Sequence, residues 1–574
     1  MLREEIRKNI IKTAQAHWPG TKIPEFSVSV PENLEHGDYA TNIAMLLGRF
    51  LKENPLEIAS ALAQELNREN AKFSAEAAPP GFINFLVSEK YITEKLDETR
   101  YEVSVTSKWQ GKRIIVEFTD PNPFKEFHIG HLYTNIVGET ISRLLEASGA
   151  VVGRANYQGD VGLHVAKAIW GMQRRIHDTR ITIHDLEEKS LEKRIQFMGE
   201  SYAESNRAYE EDEKAKEEIA SLNKKIFALD PEVADIYSKG RGWSLEYFEN
   251  IYKRLGAKFD FYYFEREVGE TGLQLVKEYL DRGVFEKSDG AIVFPGEKYG
   301  LHRRVFINSE GLPTYEAKEL GLAPKKQKDF PHDLSIIVTG NEIIEYFKVL
   351  VAALIQIYPD LGKKTLHIAH GMVRLPAGKM SSRTGEVVRA ENLLNSVKEK
   401  VLIRMEASDD FSAEEKEEVS EKIALGAVKY SLLRVGVGKD IVFDVDTSLN
   451  MEGDSGPYLQ YTYARFRSIL RKAGEGSEKL PSLLSLTEVE KRLSLALLRF
   501  GEALEDSANS FSPSTLATYL HNTAMLANEF YHTHPVTQES DEEKKQFRLK
   551  LIQLLTKTLQ VGLGILGIDA PEKM

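Results

Sequence analysis

Two histidines and a glycine lie close together in Asn122-Pro123-Phe124-Lys125-Glu126-Phe127-His128-Ile129-Gly130-His131. Imidazoles three residues apart at a helix start face one way and can donate to the oxygens of one anion. The glycine lets a ligand come close to the backbone. Far downstream, Gly378-Lys379-Met380-Ser381-Ser382-Arg383-Thr384-Gly385 gathers cations and hydroxyls in a polar loop. A mobile loop of this makeup can close over a triphosphate and stabilise charge building on a leaving pyrophosphate. Singly, the first stretch also reads as a helix start with two surface histidines or as half of a zinc site, and the second as an ordinary solvated basic loop. Metal is disfavoured, because the chain has no cysteine and no third ligand stands nearby. Together, in this order, the two stretches describe a site that grips the phosphates of ATP.

Such a site needs strands and helices to present it. Lys112 to Phe118 (KRIIVEF) is β-branched and apolar and reads as a buried parallel strand. Thr119 to Pro123 must end it. From about Ile129 the spacing Ile129, Leu132, Ile136, Val137, Ile141 is helical. The histidines therefore fall at the opening turn of a helix, where free N–H groups and the helix dipole favour an anion. Thr365 to Val373 reads as another strand, just before the second motif.

Strands and helices alternate from about 111 to 375, which predicts a doubly wound, Rossmann-type parallel sheet of the α/β class. A charged, mostly helical insertion interrupts it from about 173 to 265. Helix is expected over Tyr209–Lys225, and Trp243, Tyr247 and Phe248 fall on a later helix. Its charge run reads as a solvated helix face. Residues 376–448 carry the polar loop and a helical connection, and 449–574 reads as all-α. Residues 1–110 form a separate α+β unit, with helical periodicity through Glu4–Ala16 and Tyr39–Asn67, a Pro79-Pro80-Gly81 turn and a strand over Phe82–Val87.

Composition sets outer bounds. A chain of 574 residues supports several domains and large cores. Without cysteine there is no disulfide framework and no Cys-based zinc site. No apolar run reaches transmembrane length, and the first residues (MLREEIRKNI) lack the apolar core of a signal peptide, so a cytoplasmic protein is expected. The net charge of −12 argues only weakly against a nucleic-acid partner, since local basic patches suffice.

The two motifs resemble the signatures of class I aminoacyl-tRNA synthetases, and the rest of the chain resembles arginyl-tRNA synthetases. Gly37-Asp38-Tyr39-Ala40-Thr41-Asn42 and Pro80-Gly81-Phe82-Ile83-Asn84-Phe85 are similar to that family's N-terminal tRNA-elbow domain. Asp440-Ile441-Val442-Phe443-Asp444 resembles the junction before its last domain. Gly456-Pro457-Tyr458-Leu459-Gln460-Tyr461-Thr462-Tyr463-Ala464-Arg465 and the ending Gly567–Met574 are similar to its anticodon-binding domain.

The resemblance implies activation of L-arginine with ATP, then transfer to the 2′-hydroxyl of the terminal adenosine of tRNA(Arg). Activation needs bound tRNA. ATP would be held by His128, Gly130, His131, Met372, Lys379, Met380, Ser381 and Ser382, with Mg²⁺ on its phosphates. His128, His131, Lys125, Lys379 and Arg383 would carry the chemistry. The loop departs from K-M-S-K-S: Ser382 stands where a lysine is usual, and Lys125, just upstream of the histidines, is expected to compensate.

A guanidinium needs planar acidic or amide acceptors. The family's arginine ligands fall here on Glu117, Asn122, His128, Tyr315 and Glu319. Thr314–Glu319 resembles T-Y-x-x-x-D with Glu319 in place of Asp, and a glutamine often found downstream is replaced by Ile343. A surface salt bridge with Lys318 or Lys325 is the bland alternative for Glu319. Tyr458, Tyr461, Arg465 and Asn84 are the expected tRNA contacts, although helix packing accounts as well for the first three. A monomer is expected. A lysyl-type class I synthetase and a non-catalytic tRNA-binding paralogue are the alternatives.

Overall fold

The structure is a computed structural model that describes residues 1–69, 71–99, 107–376, 388–406, 410–474 and 485–574. The N-terminal unit comprises α1 (Leu2–His17), β1 (Val28–Ser29), β2 (Tyr39–Thr41), α2 (Ile43–Leu51), α3 (Pro55–Glu69), β3 (Phe73–Ala78), β4 (Phe82–Val87) and α4 (Glu89–Glu98). Its strands form an antiparallel sheet in the order β1-β2-β4-β3. The helix expected from Tyr39 to Asn67 is not continuous. Tyr39 and Thr41 pair with Phe85 and Ile83 as a strand that buries both side chains. Three residues are too few to show a two-residue period against the helical pattern that follows. The helix also breaks at Lys52, which turns left-handed at φ 59°, and restarts at Pro55.

The central domain runs through β5 (Arg113–Glu117), α5 (Ile129–Ala147), β6 (Val151–Gln158) and α6 (Leu163–Thr179), then the inserted helices α7 (Ile183–Glu187), α8 (Leu191–Glu211), α9 (Glu213–Ala228) and α10 (Pro231–Leu255). It returns through β7 (Phe261–Phe264) and α11 (Glu265–Asp281) to a small antiparallel sheet of β8 (Glu286–Ser288), β9 (Ala291–Phe294) and β10 (Arg304–Ile307). Then follow α12 (Tyr315–Asp329), β11 (Leu334–Gly340), α13 (Ile344–Ile357), α14 (Pro359–Lys363) and β12 (Thr365–His370). The main sheet is parallel throughout, in the order β12-β11-β5-β6-β7. Strand order therefore reverses between β5 and β11, and a crevice opens at the carboxyl ends of those two strands, the usual ligand position in such sheets.

Three expectations shift in detail. Asp212 splits the expected Tyr209–Lys225 helix, because its side chain caps α9. The insertion ends earlier than expected, since Phe261 already pairs with Ala155 in the sheet. The last strand stops at His370. Gly371 passes so close to the Lys439 carbonyl that a Cβ would lie 2.1 Å from it, and β13 (Val373–Arg374) pairs instead with β14 (Ile441–Val442).

Between these last two strands lie α15 (Ala390–Met405) and α16 (Ala413–Leu433). A helical domain of α17 (Val445–Ser448), α18 (Gly456–Ala473), α19 (Glu488–Leu498), α20 (Phe500–Asn509), α21 (Pro513–Thr533) and α22 (Glu542–Ile565) follows. Helix α5 is buried along most of its length and packs against α15, α16 and α20 to α22. Among the described residues no helix is long and apolar enough to cross a membrane.

Candidate active site

The chain leaves β5 through a strained turn. Thr119, Asp120 and Phe124 have φ of 80°, 47° and 67°, left-handed values that cost non-glycine residues energy, most of all a β-branched threonine. Neighbouring elements hold them there. Asn135 on α5 donates to Thr119 Oγ1 at 2.9 Å, the Tyr157 N–H on β6 donates to Asp120 Oδ1 at 2.8 Å, and the Phe124 N–H donates to Ser244 Oγ on α10 at 2.9 Å. The turn delivers His128 to the N-cap of α5.

There the two histidines cap the helix reciprocally. His128 Nδ1 accepts the backbone N–H groups of Gly130 (3.1 Å) and His131 (3.3 Å), and His131 Nδ1 accepts that of His128 (3.4 Å). The rings stack with centroids 3.6 Å apart. An Nδ1 that accepts carries no proton, so in each neutral ring the N–H is Nε2. Burial, followed by the nearby Lys125 ammonium, lowers His128 to about 4. Burial, His128 and Lys125 hold His131 well below its usual value. At neutral pH the turn therefore presents two uncharged Nε2–H donors.

More basic groups converge on it. Burial lowers the Lys125 ammonium, which lies 5.3 Å over the Tyr202 ring and forms no ion pair among the described residues. His164, whose Nε2 lies 2.8 Å from the Gly159 carbonyl, is lowered to about 3 by burial and then by Lys125. Lys167 is lowered by burial, with Lys125 adding to it. Burial and mutual repulsion thus disfavour charge on this cluster of basic groups, and a polyanion would relieve that.

Lys379, Met380, Ser381, Ser382 and Arg383 lie outside the described residues, but both flanks of their segment are anchored. Met372, largely exposed, donates its N–H to Asp440 Oδ1 at 2.8 Å and accepts from the Ile441 N–H. Beyond the motif, the Val388 carbonyl accepts from the Ile129 N–H (3.0 Å), the Ala390 N–H donates to the Phe127 carbonyl (3.0 Å), and Arg389 pairs with Glu126. The segment that follows the second motif is thus stitched to the first motif through the backbone.

The opposite face of the sheet is acidic. Glu117 is in register with Ala155 and Ile337, which places Glu117, Tyr157 and Thr339 on one face, under α11 and α12, while Asn156, Gln158 and His370 lie on the α5 face. His370 Nε2 lies 2.7 Å from Thr134 Oγ1 on α5. On the acidic face, Lys326 donates to Glu117 at 2.9 Å with side-chain exposures of 4 % and 1 %, and Lys318 donates to Glu265 at 2.6 Å with 5 % and 4 %. Glu316 pairs with Arg304 at 3.2 Å.

Glu319, two turns before Lys326 on α12, forms no ion pair among the described residues. Its expected surface partners bind elsewhere, Lys318 to Glu265 and Lys325 to Asp329. Burial and then the Glu117 charge push the Glu319 carboxyl well above its usual range, with Glu265 and Glu316 adding to this. Asp120 is raised in the same way by burial and Glu117. On α12, Glu319 is thus left without a cation among the described residues, which suits a monocationic side chain. Tyr315, 54 % exposed, stands one turn before Glu319, and Asn122 Oδ1 lies against Gly159 beside Glu265. Glu117, expected among the arginine ligands, already holds Lys326.

Tyr458, Tyr461 and Arg465 are partly exposed on α18. The Arg465 guanidinium sits 4.6 Å from the Tyr461 ring centroid and 5.0 Å from that of Tyr531, and donates to Asn528 at 2.7 Å; Asn528 in turn donates to the Tyr458 hydroxyl at 2.8 Å. In the N-terminal sheet, Asn84 lies between the exposed Phe82 and Leu86 on one face of β4.

Comparison with known proteins bears on the whole chain. Residues 93–445 match the family described as tRNA synthetases class I (R), catalytic domain; residues 459–574 match the DALR anticodon binding domain; residues 1–87 match the arginyl tRNA synthetase N terminal domain. The arginine–tRNA ligase of Treponema denticola is 33 % identical over 96 % of this chain and 95 % of its own length, and that of Bacteroides fragilis is 29 % identical over the full length of both. Among solved structures, the Thermus thermophilus arginyl-tRNA synthetase superposes with a TM-score of 0.82 at 26 % identity, covering both chains completely.

Proposed function

Because the chain belongs to the arginyl-tRNA synthetase family, and is an aminoacyl-tRNA ligase that activates arginine and charges tRNA, we propose how its residues divide that work. The triphosphate of ATP lies at the start of α5, taking the Nε2–H donors of His128 and His131 and the charge of Lys125, with Gly130 leaving room at the backbone. Met372 and the loop bearing Lys379, Met380, Ser381, Ser382 and Arg383 close over it. Mg²⁺ carried on the phosphate oxygens neutralises charge there. Lys125 supplies the cation that Ser382 cannot.

The arginine guanidinium rests on Glu319, oriented by Tyr315 and Asn122. Glu117 shapes the pocket through Lys326. The α-carboxylate of the bound arginine attacks the α-phosphorus in line; the new O–P bond forms as the bond to pyrophosphate breaks. The 2′-hydroxyl of the terminal adenosine then attacks the arginyl carbonyl, AMP leaves, and the hydroxyl proton passes to solvent. Positioning and preorganised donors supply the rate.

Residues 1–110 bind the tRNA elbow, with Asn84 on that surface. Residues 111–375 form the catalytic domain with its helical insertion, 376–448 the loop and connecting helices, and 449–574 the anticodon-binding domain, with Tyr458, Tyr461 and Arg465 at the RNA. The enzyme works as a cytoplasmic monomer. The reciprocal His128–His131 cap carries this reading, because with each Nδ1 accepting a backbone N–H each neutral ring keeps its proton on Nε2.

The test is aminoacylation with each of the twenty amino acids, alongside ATP–pyrophosphate exchange. Arginine alone should be charged, and exchange should require tRNA(Arg). Charging of another amino acid, binding of tRNA without charging, or robust exchange without tRNA would each count against it.

A further inference from the structure

The hydroxyl of Tyr157 has no role in the site so far, and its position needs a cause. The residue is 8 % exposed, and its Oη is fully shielded with no hydrogen-bond partner among the described residues. A buried hydroxyl left unpaired destabilises a fold, so persistent cases call for an explanation. The ring is well accounted for: it packs with Ile115, Ala155, Tyr263, Val268 and Leu322 under α11 and α12. Phenylalanine would serve that packing equally well. Only the oxygen is unexplained.

Its placement is specific. Strand β5 ends at Glu117, in register with Ala155, while β6 continues to Gln158. Tyr157 therefore overhangs the end of β5 on the same face as Glu117, where the chain has turned away. The Tyr157 N–H bond to Asp120 fixes the strand to that turn. The charges that act on the hydroxyl are those of the acidic wall, Glu265 and Glu319 foremost. Glu265 and Glu117 already hold lysines, and Glu319 does not.

The geometry points to Tyr157 as a specificity-determining residue of the arginine pocket, its hydroxyl oxygen accepting a guanidinium N–H beside Glu319. A guanidinium spreads five donors in a plane, more than one carboxylate can take, whereas an ammonium is a point charge. A second acceptor beside Glu319 therefore favours arginine over lysine. The inference rests on the proposed placement of arginine against Glu319.

Tyr157→Phe keeps the ring and removes the oxygen. In aminoacylation with saturating tRNA and ATP, arginine KM should rise by about ten-fold, the scale of one buried hydrogen bond. The ATP KM should hold, and kcat at saturating arginine should stay within about two-fold, since a contact kept from ground state to transition state acts on KM. The melting temperature without arginine should be unchanged or higher, because an unpaired group has gone, while the upward shift on adding arginine should shrink. A wild-type arginine KM would overturn the inference. So would a joint rise of arginine and ATP KM with a lower melting temperature, which marks a purely structural residue. Wild-type enzyme that does not charge arginine would refute the pocket reading itself, a result separable from either.

Discussion

Replacing Glu319 by glutamine tests the pocket most directly, since it preserves shape and removes charge. A hydrogen bond to a charged partner contributes about 1.5–3 kcal/mol. At about 1.4 kcal/mol per ten-fold, arginine KM should rise roughly ten- to hundred-fold, with the ATP KM unaffected. Stability should move the other way. In the free enzyme the Glu319 carboxyl is raised by burial and by Glu117, so its charged form is disfavoured in the fold. Such a group lowers stability as pH rises from the unfolded carboxyl value through the folded one. Glu319→Gln should therefore melt no lower than wild type at neutral pH, and any gain should vanish in acid, where Glu319 is protonated folded or unfolded. Binding a guanidinium must expel the proton, so wild-type arginine affinity should strengthen as pH rises through the raised value and then level off. The variant should be flat over the same range. Aminoacylation across a pH series with varied arginine, together with thermal melts, reads all of this. A Glu319→Gln enzyme with a wild-type arginine KM would remove Glu319 from the pocket and require Lys326 to release Glu117 when arginine binds.

Three further outcomes are expected, two at the start of α5 and one on α18. His128→Ala should lower activation by roughly ten- to thousand-fold and also destabilise α5 by about 1 kcal/mol through loss of its cap; His128→Asn should restore the cap and the melting temperature but not the rate, whereas recovery of rate would make capping its whole role. Lys125→Ala should show a comparable rate loss, and full activity there alongside loss in Lys379→Ala would end the idea that Lys125 compensates for Ser382. Arg465→Ala should raise tRNA KM and flatten its salt dependence if the guanidinium meets phosphate, while an unchanged KM with a lower melting temperature would assign it to the Tyr461–Tyr531–Asn528 packing.

What the sequence reveals follows the range of the interactions. The strand–turn–helix of the first motif is local, so Glu117, the prolines and the 129–141 periodicity state it outright. The anion site at the α5 N-terminus is equally local. The charge balance of the acidic wall is not. Lys318 meets Glu265 53 residues away, and Lys326 meets Glu117 across 209. No periodicity in α12 marks which of its ionisable residues are paired and which, like Glu319, stand alone. His164 had a faint signal, since Gly159–His164 is a second strand-to-helix turn like the first, but Lys125's effect on it is tertiary. Nothing local in the sequence sets Tyr157 apart from the other residues of its strand. The division of Tyr39–Asn67 into strand and two helices depended on a Phe85 pairing that no short window contains.

The far end of α5 bears on how a truncation should be read. Arg143 on α5 donates to the Gly564 carbonyl of α22 at 2.8 Å and to the Gly256 carbonyl after α10 at 2.7 Å. Buried Lys429 on α16, lowered to about 8 by burial and then Arg143, donates to the Leu255 and Gly567 carbonyls. Two helix C-termini, one from the insertion and one from the last domain, thus meet two cations, an arrangement that helix dipoles favour. The helix that presents His128 and His131 is built against the domain that matches the anticodon-binding family. Removing residues from about 449 onward would expose the buried side of α5 and take one carbonyl partner each from Arg143 (Gly564) and Lys429 (Gly567), so lost activation in that truncation would reflect a disturbed phosphate site as much as lost RNA contacts. A substitution away from this junction, such as Arg465→Ala on α18, leaves it intact. A change in tRNA KM there, with the melting temperature unchanged, therefore reports on recognition.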